Sequence, residues 1–65
     1  MKAQITVNMD TAAFDGPNAE IELAAILREL ARHVMEGDRE RSLWDCDGNR
    51  VGSFKITGQP RRFSK

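Results

Sequence analysis

The stretch Leu43-Trp44-Asp45-Cys46-Asp47-Gly48-Asn49-Arg50-Val51-Gly52-Ser53-Phe54-Lys55-Ile56 decides the fold. Asp-Gly between two apolar runs is a strong short-range hairpin signal. Asp45 and Asn49 close a three-residue loop, with Gly48 at the position that needs positive φ. Val51 and Phe54 have opposite parity, yet both are core residues by type. A bulge at Gly52 reconciles them, because glycine inside a strand often marks one. Leu43 and Val51 then face inward, and Trp44 and Arg50 face outward. The competing register, shifted by one, puts Trp44 inside and Leu43 outside.

Upstream, Ala3, Ile5, Val7 and Met9 alternate with Lys2, Gln4, Thr6 and Asn8, the period of a half-buried strand. Asp10 to Asn18 reads as a loop, with Phe14 tucked against the core as a lid. Asp15 and Asn18 are candidate acceptors for the free backbone N–H groups of a helix start, with Pro17 in its first turn. The helix spans about residues 18–36, and Glu20 and Glu22 favour its positive end. Leu23, Leu27, Leu30, Ala31 and Val34 form its apolar stripe. Ile21, Ile26 and Met35 fall off it, either wrapping the core edge or offering a second apolar surface. The polar face reads as solvated rather than as an ion-pair ladder, and Gly37 ends the helix. Asp38 to Arg41 reads as a charged connector.

The expected architecture is an α+β domain of β-α-β-β order over residues 1–56. A three-stranded antiparallel sheet, in order 1-3-2, carries one helix on one face. The expected core is Ile5, Val7, Met9, Leu23, Leu27, Leu30, Val34, Leu43, Val51, Phe54 and Ile56. Residues 57–65 have no period and read as a basic, flexible tail.

A chain of 65 residues has room for one core, and a domain so short buries only about 60% of the surface its unfolded chain exposes. Cys46 is the only cysteine and His33 the only histidine. An intrachain disulfide is therefore impossible, and the pair cannot complete a tetrahedral zinc site. No apolar run approaches the ~20 residues of a membrane span, and Met1 to Gln4 lack a signal-like apolar region. A cytoplasmic setting is the expectation. The charges balance, but unevenly: of ten acids and ten bases, residues 1–47 hold all the acids and five bases, and residues 48–65 the other five bases. Neutrality argues against a dedicated nucleic-acid binder, whereas the segregation leaves room for a local basic patch.

No enzymatic or cofactor motif emerges. Asp45-x-Asp47-Gly48-Asn49 lacks the glycine spacing and bidentate acid of a calcium loop. His33 has no nucleophile placed beside it and suits a helix C-terminal turn. Cys46 sits at a hairpin tip as an ordinary thiol, and Glu20, Glu22, Glu29 and Glu36 form no acid–base pair. Trp44 beside Arg50 has the composition of an interface hot spot, on a sheet face shared with Gln4 and Thr6. Arg61-Arg62-Phe63, with Lys55 and Lys65, has the composition of a nucleic-acid contact.

Residues 2–56 as a whole resemble a group of short bacteriophage- and prophage-encoded proteins of unknown function. The resemblance lies in a strand leading into a Leu-, Ala-, Arg- and Glu-rich helix and in the hairpin Leu43-x-Asp45-x-Asp47-Gly48-Asn49-Arg50-Val51-Gly52-x-Phe54-x-Ile56. Trp44 departs from the polar residue expected there, and the tail lies outside the resemblance. It implies no catalytic residue or cofactor, but a phage setting in which small proteins bind and block host factors. The leading expectation is a non-enzymatic protein–protein interaction module acting through Trp44, Arg50, Thr6 and Gln4. The alternative is a nucleic-acid-binding accessory protein using Lys55, Arg61, Arg62 and Lys65. A third is a homodimer joined by strand edges.

Overall fold

A computed structural model describes residues 1–58. Strand β1 (Lys2–Val7) is followed by 3-10 turns at Ala12–Phe14 and Gly16–Asn18, helix α1 (Ala19–Met35), and strands β2 (Glu40–Trp44) and β3 (Arg50–Thr57). The sheet is antiparallel with β3 central, in the order β1-β3-β2, and α1 packs on one of its faces. The α+β architecture is as expected from the alternation and the hairpin.

The hairpin register carries the irregularity on which the rest is built. Leu43 lies opposite Gly52, but Trp44 lies opposite Arg50, so Val51 is the extra residue of a bulge. A bulge reverses parity along one strand. Val51 and Phe54 are therefore both buried, with Leu43, on the helix side. Gly52 is required at this point. A Cβ there would lie 1.8 Å from the Thr6 carbonyl oxygen of β1, inside any van der Waals limit. At the loop, Asp45 N–H donates to the Asn49 carbonyl at 2.9 Å and Gly48 N–H to the Asp45 carbonyl at 3.1 Å. Gly48 has φ +86°, a conformation that costs a residue without Cβ little.

The helix sits differently from the stripe read in the sequence. Its buried residues are Ile26 and Leu30, with Ala19 and Leu23 partly buried beside them. Ile26, placed off the stripe by sequence, is core. Leu27 and Val34, placed on it, are 40% and 39% exposed. Leu23 and Leu30 belong to both possible phases of the apolar pattern, so periodicity alone does not choose between them. Tertiary placement chooses: α1 runs close to β2 and to the two 3-10 turns, and β1 is not among its near neighbours. The uncovered inner side of β1 leaves Ile5 50% exposed, and Met9 beyond it is also exposed. The core is Phe14, Ile26, Leu30, Leu43, Val51 and Phe54, with Val7, Ala13 and Ile56 packed against it. Phe14 closes it as the expected lid.

Three local expectations are corrected. Neither Asp15 nor Asn18 makes a side-chain cap bond. The chain enters α1 through two 3-10 turns, and Pro17 lies in the second of these. Glu40 and Arg41 belong to β2 rather than to a connector. The helix exit is as read: Asp38 N–H donates to the His33 carbonyl and Gly37 N–H to the Val34 carbonyl, with Gly37 at φ +104°.

Replacing Gly52 by alanine forces β1 away from β3. The expected cost is ~3 kcal/mol or more, at or beyond the top of the usual overpacking range. Chemical denaturation of G52A measures it, and a loss below about 0.5 kcal/mol, the scale of a neutral surface change, contradicts the close approach.

Candidate functional site

The residues singled out by sequence divide between two surfaces. The open sheet face, away from α1, carries Lys2, Gln4, Thr6, Ser53, Lys55, Glu40, Ser42, Arg50 and Trp44, as the cross-strand pairs place them. It is polar throughout except for Trp44. Arg50 reaches along it, and its Nε donates to Ser42 Oγ at 3.0 Å. Glu40, Ser42, Arg50, Ser53 and Lys55 line a shallow open depression of about 530 Å³. Gln4 and Thr6 do share this face with Arg50, but they lie on β1, across the central strand from Trp44. The expected four-residue contact is therefore not one contiguous cluster.

Trp44 is 53% exposed at the free edge of β2, so the inward register for the indole is excluded. It borders two small clefts between β2 and α1. One, about 100 Å³, also involves Ile26, Glu29 and Leu30; the other, about 200 Å³, involves Glu22, Ala25, Asp45 and Cys46. The neighbours of Trp44 are thus the acidic flank of the helix on one side and Arg50 on the other. Glu22 and Glu29 are the residues that sequence reasoning missed at this site. No local pattern links them to Trp44; only the placement of α1 over β2 does.

The turn beside Trp44 is built around Asp45, which is buried. Its carboxylate accepts from Thr11 Oγ1 at 2.7 Å, Asp47 N–H at 2.9 Å, Asn49 N–H at 2.8 Å and Asn49 Nδ2 at 3.2 Å. Burial raises its pKa, but these donors together outweigh burial and hold the carboxyl below its ordinary 3.8. Glu22 adds a second tie, accepting from Cys46 N–H at 2.8 Å. The carboxylate of Asp45, the first of the loop residues that superficially resemble ion ligands, is therefore occupied with holding the turn. Cys46 is exposed at the tip, as expected. Desolvation, and then the carboxylates of Glu22, Asp47 and Asp45, push its thiol above the ordinary value. That environment suppresses the thiolate.

The helix's polar flank is more ordered than the sequence reading allowed. Arg32 bridges Glu29 and Glu36, and His33 Nε2 lies 3.2 Å from Glu29, with its Nδ1 3.4 Å from Asp38. The Arg32 and Glu29 side chains are more than half exposed, so screening makes such pairs worth little. Among the described residues, no group of three or more His, Cys, Asp or Glu side chains is placed to hold a metal ion. No helix there is long and apolar enough to cross a membrane. Of the basic set, Lys55 is exposed on the open face, opposite Gln4 and Glu40; Arg61, Arg62 and Lys65 lie outside the described residues. No family model, curated protein or solved structure matches the chain.

Asp45 has a depressed folded pKa, so its contribution is present above the unfolded value and lost as pH falls through the folded one. Stability should therefore rise with pH in the acid range around and below 3.8. Asp45→Asn removes part of that slope and lowers stability at neutral pH. Urea melts of both proteins across the acid range test this, and equal slopes contradict it.

Proposed function

We infer that the chain is a non-enzymatic protein–protein interaction module whose contact centres on Trp44. The supporting observation is the half-exposed indole at a sheet edge, between Arg50 and the carboxylates Glu22 and Glu29. Large amphipathic aromatics beside an arginine are what interfaces bury most productively. Gln4 and Thr6 belong to the periphery of the contact, two strands away. The resemblance of the hairpin to phage-encoded proteins favours a host or defence component as the partner, and a host cytoplasm as the setting. Trp44→Ala should retain the wild-type circular dichroism spectrum and lose capture of the partner from a bacterial lysate. An unfolded variant, or undiminished capture, counts against the indole as the contact.

A nucleic-acid-binding role is the second reading, favoured by one feature of the open face. Lys2, Arg50 and Lys55 lie there with a single carboxylate, Glu40, and the basic residues Arg61, Arg62 and Lys65 follow in sequence. Phosphate contacts of this kind make binding salt-dependent. A gel shift with single-stranded DNA and RNA at low salt should then give a complex that dissolves as salt rises. No complex at low salt removes this reading.

A further inference from the structure

Among the described residues the two outer strands of the sheet have no further partner, and their edges are protected unequally. β2 starts with the charged pair Glu40-Arg41 and has α1 alongside. Charges and covering elements are the usual means of keeping an edge from pairing. β1 has neither. From Ala3 to Met9 it carries no charge, among the described residues only β3 packs closely along it, and Ile5 on its helix side is 50% exposed. Its backbone orientation is also defined. Asn8 N–H donates to the Val51 carbonyl at 2.7 Å and the Thr6 carbonyl points at Gly52, so the even-numbered groups are used on β3. By the alternation of an antiparallel ladder, the N–H and C=O groups of Ala3, Ile5 and Val7 face outward along the edge.

An apolar surface adjoins that edge. Ile5 and Ala3 lie on the helix side of β1, as does Ile56 next to Ala3. On α1, Leu27 and Val34 project from the flank opposite the Trp44 clefts, and both are exposed. At about 100° per residue, Ala31 falls between and beyond them, so no charge interrupts the middle of this flank. An exposed edge with apolar residues on the same side of the sheet is what strand addition covers.

We propose that the occupant is a second copy of this chain, its β1 antiparallel to the first and the two sheets joined into one of six strands. The sequence of β1 is self-complementary in this arrangement. With Ile5 opposite Ile5 of the copy, Ala3 meets Val7 on the helix side. On the open face Gln4 meets Thr6, and Lys2 meets Asn8, so the strand's one charge never opposes its like. The outward Ala3, Ile5 and Val7 backbone groups are those this register hydrogen-bonds. The two-fold axis puts both helices on the same face of the six-stranded sheet, with their Leu27–Val34 flanks turned toward each other. A standard interface takes about 800 Å² from each partner. That is roughly a sixth of the chain's 5028 Å² surface, a reasonable share for one full edge and helix flank. The assignment rests on β1 and α1, not on Trp44, which stays accessible on the far edge.

Analytical ultracentrifugation over a concentration series tests it. The wild type should sediment at twice the 7.3 kDa chain mass at high concentration and shift toward the monomer on dilution. Ile5→Lys should shift the whole population to monomer with an unchanged circular dichroism spectrum. Should that variant unfold, Leu27→Lys on the helix flank carries the same expectation. In a Cys46→Ser background, Ile5→Cys should form a disulfide-linked dimer on oxidation and Glu40→Cys on the other edge should not; paired-strand Cα spacing is within disulfide reach. A wild type that stays monomeric at every concentration overturns the proposal. So does a dimer that survives both lysine variants, or one that cross-links through Glu40→Cys.

Discussion

The contact between Gly52 and the Thr6 carbonyl is the constraint on which the rest of the molecule depends. It lets the central strand carry a one-residue bulge while still pairing with β1 on one side and β2 on the other. The bulge turns Val51 inward without turning Phe54 outward. A straight ladder would have exposed one of the two, and each side chain of that size is worth about 1.5–3 kcal/mol when buried. With six buried apolar residues in the core among the described residues, losing one would be a large part of a marginal balance. The same irregularity puts Trp44 opposite Arg50 and so decides which aromatic residue the protein shows to its surroundings.

The bulge was legible because two signals conflicted: the parity of Val51 and Phe54 disagreed, and a glycine stood between them. The turn was legible for a similar reason, since Asp45, Gly48 and Asn49 each have a local job that depends on no distant contact. The helix phase was not. Leu23 and Leu30 fit a stripe with Leu27 and Val34 as well as one with Ile26, and α1 covers β2 and leaves β1 open. Nothing within residues 19–35 encodes that lateral choice. Its consequence is the inversion of three assignments at once: Ile26 goes in, and Leu27 and Val34 come out. Ile5 is exposed by the same displacement, even though its strand alternation was read correctly.

The candidate site shows the same division. Exposure of Trp44 follows from hairpin parity and was readable. Its neighbours Glu22 and Glu29 come from a helix more than a turn's reach away in sequence, and only the packing of α1 against β2 brings them there. Glu22 also ties the hairpin tip to the helix through Cys46 N–H, a tertiary bond with no sequence signature. Asp45 was recognised as a turn residue, but its tie to Thr11 joins the hairpin to the loop after β1. These long-range polar links hold the turn that presents the indole, and they occupy both oxygens of the Asp45 carboxylate.

The register around the bulge can be read directly by nuclear magnetic resonance. Cross-strand nuclear Overhauser contacts should place Leu43 opposite Gly52 and Trp44 opposite Arg50, skipping Val51, with Ile5 opposite Phe54 on the other side of β3. Contacts that instead place Trp44 directly opposite Val51 would mean an unbroken ladder. Val51 would then share the indole's face, and both the core and the surface assigned here would be wrong.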